Sequence, residues 1–245
     1  QPENAIARRF DERNLLFQEV RAPGSAEQAT AQFDYDGNQN RVRVWRGLEG
    51  DPRLHRYTFD GYNRLTEILD PMGNVTAYQY DALNRLKRID QPDTSESITF
   101  NHDEGTGGKG RVTSMVDPAG RTDYTYDELG RLTTERRTME GITYTTHYAY
   151  DGNSSLVGMT YPSGLVVEYQ RDSAGRISGV KVNGQTLASG SAYLPFGPAS
   201  GLTLGSNLLN VARTYDQRYQ LKAIQAVPLL DYQYTHDPAG NILSI

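Results

Sequence analysis

A turn signature that recurs at a near-constant interval constrains this chain more than any other feature. Asp follows Phe10, Tyr35, Phe59, Tyr80, His102, Tyr126, Tyr150, Arg171, Tyr215 and His236, and an eleventh position of the same series is Tyr193, followed by Leu194. Successive positions lie between 21 and 25 residues apart. A period of that length marks stacked supersecondary units rather than a single site. The positions close stretches of alternating aromatic residues, such as Phe33-x-Tyr35, Tyr57-x-Phe59, Tyr78-x-Tyr80, Tyr124-x-Tyr126 and Tyr148-x-Tyr150. Residues two apart share one face of a strand, and Tyr, Phe, Thr and Val suit a pleated, half-buried surface. The candidate structural anchors are therefore Phe10-Asp11, Tyr35-Asp36, Phe59-Asp60, Tyr80-Asp81, Tyr126-Asp127, Tyr150-Asp151 and Tyr215-Asp216, each read as a strand end followed by a turn start.

Turn chemistry sharpens that reading. Asp at the first position of a type I turn accepts backbone hydrogen bonds, and a Gly or Asn three residues later tolerates the left-handed conformation that closes a bulged hairpin. Asp60-Gly-Tyr-Asn63, Asp81-Ala-Leu-Asn84, Asp127-Glu-Leu-Gly130, Asp172-Ser-Ala-Gly175 and Asp237-Pro-Ala-Gly240 fit the pattern. A second turn falls midway through several repeats, at Asp70-Pro-Met-Gly73, Asp117-Pro-Ala-Gly120 and Tyr161-Pro-Ser-Gly164. One repeat is then two strands and two turns, with no room for ordinary helices. The fold predicted is all-β, an antiparallel meander of about twenty strands. One hairpin cannot bury an aromatic face alone, so stability must come from stacking repeat on repeat, and a long twisted strip tends to curl.

Composition excludes some partners. With Lys plus Arg at 25 and Asp plus Glu at 30, the net charge is −5, and no basic block offers the footprint of a nucleic-acid binder. No apolar run approaches the roughly 20 residues of a membrane-spanning helix. Cys is absent, which removes disulfides and thiolate metal sites and leaves the compartment open. The opening QPENAIARRF lacks an initiator Met and suggests a processed product or a piece of something longer. From Lys181 to Ile245 only seven side chains are charged, so that stretch is either a contact surface or a better-buried sheet.

No catalytic, cofactor or metal site emerges. DEGTGGKGRV, residues 103–112, lacks the Ser or Thr after Lys and the early Gly of a phosphate loop, and reads as a lengthened hairpin turn. His55, His102, His147 and His236 are widely separated, with no short-range ligand pair. There is no Gly-x-Ser-x-Gly and no His-Glu-x-x-His. Asn74-Val-Thr76 and Asn153-Ser-Ser155 read as turn residues rather than glycosylation sites. The 17 Tyr residues suit a cross-strand ladder, with hydroxyls free to meet water or cargo, or else a sugar-stacking surface.

The units YDALNRL (80–86), YDELGRL (126–132), TYDQRYQL (214–221), YLPFGPASGLTLGSN (193–207) and HDPAGNI (236–242) resemble the YD repeats of bacterial RHS (rearrangement hotspot) proteins, over essentially the whole of residues 1–245. The resemblance implies a spiral β-strip that curls into a hollow shell or barrel, as in RHS effectors and the C component of insecticidal toxin complexes. It further implies a non-enzymatic wall that encapsulates and helps deliver a C-terminal toxin polypeptide. The implied partners are that polypeptide, the remaining shell and secretion machinery, with no cofactor, nucleic acid or membrane segment. It also implies an exported effector, cytoplasmic before delivery. The family's self-cleavage motif, Asp-Pro-x-Gly-Leu, does not occur, and DPMGN, DPAGR and DPAGN all fall in repeat turns, so no protease residue is assigned. Two readings stand beside this one: a cell-surface adhesion or carbohydrate-binding repeat module, and a hydrolase whose carboxylates converge across the sheet.

Overall fold

A computed structural model describes residues 5–48, 53–206 and 208–245. The first four residues of the opening stretch, and Asn207 at the end of YLPFGPASGLTLGSN, lie outside the described residues. The backbone contacts divide the chain into two compact units, residues 1–104 with 109–122, and residues 105–108 with 123–245.

In the first unit ten strands follow one another: β1 (Ile6–Phe10), β2 (Leu16–Arg21), β3 (Ala29–Tyr35), β4 (Arg41–Leu48), β5 (Arg53–Phe59), β6 (Leu65–Leu69), β7 (Val75–Tyr80), β8 (Leu86–Asp90), β9 (Ile98–His102) and β10 (Val112–Asp117). Each pairs antiparallel with the next. A single turn of 3-10 helix at Thr94–Glu96 interrupts the meander. β11 (Gly120–Tyr126) contains the boundary.

The second unit carries β12 (Leu132–Met139), β13 (Ile142–Tyr150), β14 (Leu156–Thr160), β15 (Val166–Arg171), β16 (Ile177–Val182), β17 (Gln185–Tyr193), β18 (Ala199–Leu204), β19 (Leu209–Tyr215), β20 (Leu221–Ala226) and β21 (Leu230–Gln233). These too pair antiparallel in chain order. β22 (Thr235–His236) and β23 (Ile242–Ser244) form a separate two-stranded sheet.

The register breaks where the turn chemistry requires an extra residue. Phe59 faces Leu65, Tyr80 faces Leu86, Tyr150 faces Leu156 and Tyr215 faces Leu221, each pair following a register shift. The cause lies in the turn. The Asp81 amide donates to the Arg85 carbonyl at 2.9 Å and the Asn84 amide to the Asp81 carbonyl at 3.1 Å, with Asn84 at φ 64°. That is a type I turn closed by a left-handed residue and a bulge. Asn63, Ser154, Gly175 and Tyr219 occupy the same left-handed position in their turns.

Each unit is a meander whose strands contact their sequence neighbours, and the buried core is thin. The buried apolar residues among those described are Ala22, Phe33, Val44, Val167, Ala223 and Ala226. The chain exposes 16133 Å², half as much again as the roughly 11,000 Å² that a compact monomer of its mass would expose. In the charge-poor stretch Leu208, Val227 and Leu229 are 83%, 75% and 76% exposed, so the poverty of charge does not reflect better burial.

Candidate functional site: the Tyr-Asp turn edge

Each anchor Asp organises its own turn. One carboxylate oxygen of Asp81 accepts from the Leu83 and Arg85 amides at 2.8 and 2.9 Å, and the other from Arg85 Nε at 2.7 Å. Asp127 repeats this with Leu129 and Arg131, and Asp172 with Ala174 and Arg176. Asp60 binds Tyr62 and Arg64 in the same way. Asp36 uses Asn40 in place of Arg, and Asp11 holds the Arg13 and Leu15 amides. Asp151 takes the Asn153 and Ser155 amides, and Asp216 those of Arg218 and Gln220. At Asp11, Asp36, Asp60, Asp81, Asp127 and Asp172 these bonds favour the ionised form. The Arg85 amide, assisted by its guanidinium, holds the Asp81 carboxyl below the usual carboxylate range, and the Arg131 and Arg176 amides lead the same effect on Asp127 and Asp172.

The turns are also joined from repeat to repeat. Having bound its own Asp, Arg85 reaches the next turn with both terminal nitrogens on Asp103, at 2.8 and 2.7 Å, a bidentate pair that pushes the Asp103 carboxyl far down. Arg64 donates to Asn84 Oδ1 at 2.8 Å, and Arg131 to the Asp151 carbonyl at 3.0 Å. The same guanidinium groups stack on the next anchor rings: Arg64 on Tyr80 at 4.7 Å, Arg131 on Tyr150 at 4.9 Å and Arg176 on Tyr193 at 4.6 Å.

The anchor tyrosines reach back in the other direction. Tyr35 donates its hydroxyl to the Leu16 carbonyl, Tyr80 to Leu65 and Tyr215 to Ala199, each at 2.9 Å, and Tyr193 to Ile177 at 2.6 Å. The acceptor in each case is the residue that opens the return strand of the preceding repeat. For these four this corrects the expectation that the anchor hydroxyls meet water or cargo: the strand spacing places a backbone carbonyl within their reach. Arg171, in the anchor slot of its repeat, performs the same task with Nη2 on the Leu156 carbonyl at 2.9 Å. Phe10 and Phe59 lack the hydroxyl, and Phe10 is half exposed at the end of β1.

The sequence marked the anchors and passed over the arginines. Their signal is present as Asn-Arg-Leu and Gly-Arg-Leu directly after the turn. Residues 103–111 form a lengthened turn, closed by the Asp103 amide on the Arg111 carbonyl at 3.2 Å. Among the described residues no three His, Asp or Glu converge as a metal-ligating group, and no helix is long and apolar enough to cross a membrane. Carboxylates held ionised by two amides and a side chain are suited to fixing backbone, and poorly suited to donating a proton.

The RHS Repeat family model matches residues 59–96 and 108–143. The chain is 24% identical over 241 residues to double-stranded DNA deaminase toxin A of Burkholderia cenocepacia (strain H111), covering 88% of this chain and 16% of that protein. Among solved structures it resembles the TcdB2-TccC3-Cdc42 crystal structure, with a TM-score of 0.72, 17% identity, and coverage of 95% of this chain and 15% of that one. It also resembles a Photorhabdus luminescens Tc holotoxin pore with a substituted TccC3, at a TM-score of 0.70 and 18% identity, covering 95% of this chain and 14% of that one. The chain thus shares the fold of a section of these solved structures and spans about one-sixth of the length of the proteins it matches.

Proposed function

The chain is an RHS-repeat polypeptide, and on that premise we propose that it is a section of non-catalytic wall that encloses a toxin polypeptide and accompanies it during export. The observation that carries this reading is the combination of a thin core with a stitched turn edge. The stabilising bonds run along the strip, between repeats, while large apolar side chains on it stay exposed. A sheet of that kind gains stability when something else covers it. In this reading the covering partners are the remaining shell and the enclosed polypeptide. The relatives support it: one is named as a toxin, and the solved structures contain TccC3 in Tc assemblies. The anchor Asp residues serve the wall as turn builders and take no part in chemistry.

Limited proteolysis of the full-length native product, read by mass spectrometry, tests the proposal. A polypeptide that stays bound and protected, and is released only by denaturant, is the expected result. Equal accessibility of every repeat, with nothing retained, overturns encapsulation and makes glycan binding the next measurement.

A further inference from the structure

In the turns opened by Asp60, Asp81, Asp127, Asp172 and Asp216 the left-handed residue stands three places after the first, at Asn63, Asn84, Gly130, Gly175 and Tyr219. In the turn over residues 194–198 it stands two places after, at Phe196 with φ 55°, although Gly197 occupies the usual position. The backbone frame is otherwise kept, with the Leu194 amide on the Pro198 carbonyl and the Gly197 amide on the Leu194 carbonyl, each at 3.1 Å. A bulky side chain in the left-handed region is strained, and such strain persists where the surroundings impose it, often at functional places. Phe196 gains no burial in return, for its ring is fully exposed. The next repeat imposes the conformation. Tyr219 donates its hydroxyl to the Pro195 carbonyl at 2.6 Å, and its ring lies so close over Gly197 that a Cβ there would overlap it. Pro195 and Pro198 stiffen the tip from both sides.

The second unit thus holds an aromatic knob outward on a braced tip, with its ordering cost already met. Arg218, which precedes Tyr219, donates Nη1 to the Pro238 carbonyl at 3.1 Å and has no carboxylate partner among the described residues. The first unit carries a cleft of matching chemistry. It measures about 610 Å³ and lies between the 3-10 turn at Thr94–Glu96 and the turn that follows β10, with Pro92, Ile98, Pro118 and Ala119 as its apolar lining and Asp93 and Glu96 among its carboxylates. Glu96 is exposed and has no cationic partner among the described residues. An apolar lining with an acidic rim complements an aromatic ring beside an unpaired guanidinium.

We propose that the Phe196 tip of one copy of this chain docks into the cleft beside Pro118 of a second copy, with Arg218 meeting Glu96 across the contact. The ring supplies the anchor and the charge pair sets its orientation. Knob and cleft are different surfaces, so the contact is heterologous, and it continues from copy to copy or closes as a ring. It needs no enclosed polypeptide.

Sedimentation velocity on the full 245-residue chain, over a concentration series, tests the contact. The unsubstituted chain forms dimers or larger species as concentration rises, and added salt weakens them. Phe196→Gly, which suits the left-handed position, weakens association more than about tenfold. It does not lower the thermal midpoint, because a fully exposed ring has no burial to lose. Ala119→Arg, at an exposed turn position, fills the cleft, occupies its carboxylates and weakens association as much. At concentrations where the unsubstituted chain associates, neither variant does so alone, yet their equimolar mixture forms a pair that grows no further, since one chain offers only the cleft and the other only the knob. A chain that stays monomeric at every concentration, association untouched by either variant, or a mixture that does not pair overturns the proposal.

Discussion

Tyr80 differs from phenylalanine by one oxygen, and that oxygen crosses from one repeat to the one before it. Tyr80→Phe therefore costs about 1 kcal/mol in urea unfolding, the usual net worth of a hydrogen bond whose acceptor is left without its partner. Tyr62→Phe, at a turn tip where the ring is 76% exposed, leaves the midpoint unchanged. Phe59→Tyr is the reverse change, and a gain in stability is expected because the Arg41 carbonyl occupies the corresponding acceptor position. The turn carboxylates make a second prediction. Their folded pKa values lie below the ordinary aspartate value, so their contribution is present above that value and is lost as pH falls through the folded values. Thermal midpoints followed by circular dichroism should stay level from neutrality to about pH 5 and decline below it. Asp81→Asn, which keeps an acceptor and removes the titration, should make the decline shallower.

At the level of the hairpin, the lengthened turn shows how tightly two elements meet. Gly107 adopts φ +70°, and a Cβ built there would sit 2.5 Å from the Asp127 carbonyl oxygen and 2.8 Å from that of Tyr126. Gly105 has nearly the same φ, +71°, with open space around it. Gly105→Ala thus measures backbone strain alone, about 1 kcal/mol, whereas Gly107→Ala adds a clash with backbone and should cost about 2–3 kcal/mol more in chemical denaturation. Equal losses would show that the close approach carries no energy. Turn positions and strand ends were legible in the sequence because left-handed residues and turn-capping carboxylates act within five residues of themselves. The cross-repeat bonds were not. Arg85 and Asp103 are 18 residues apart, and their meeting depends on a register fixed only when all the intervening bulges have formed.

For the molecule as a whole, the balance of buried and exposed surface governs behaviour. A meander with a thin core and bonds running from one repeat to the next has no central cluster whose loss unfolds everything at once. Hydrogen exchange should report a graded series of opening energies along each unit rather than a single value, with β7 and β8 among the better protected strands and β22 and β23 among the least. A single global value throughout would refute this. The substitution of Arg171 for a tyrosine in one anchor slot has a further consequence. Guanidinium and phenol act there as synonyms, two spellings of one instruction, each reaching the corresponding carbonyl of the preceding repeat. A reader that knows only the commonest spelling recognises some sentences and passes over others, although the text is continuous.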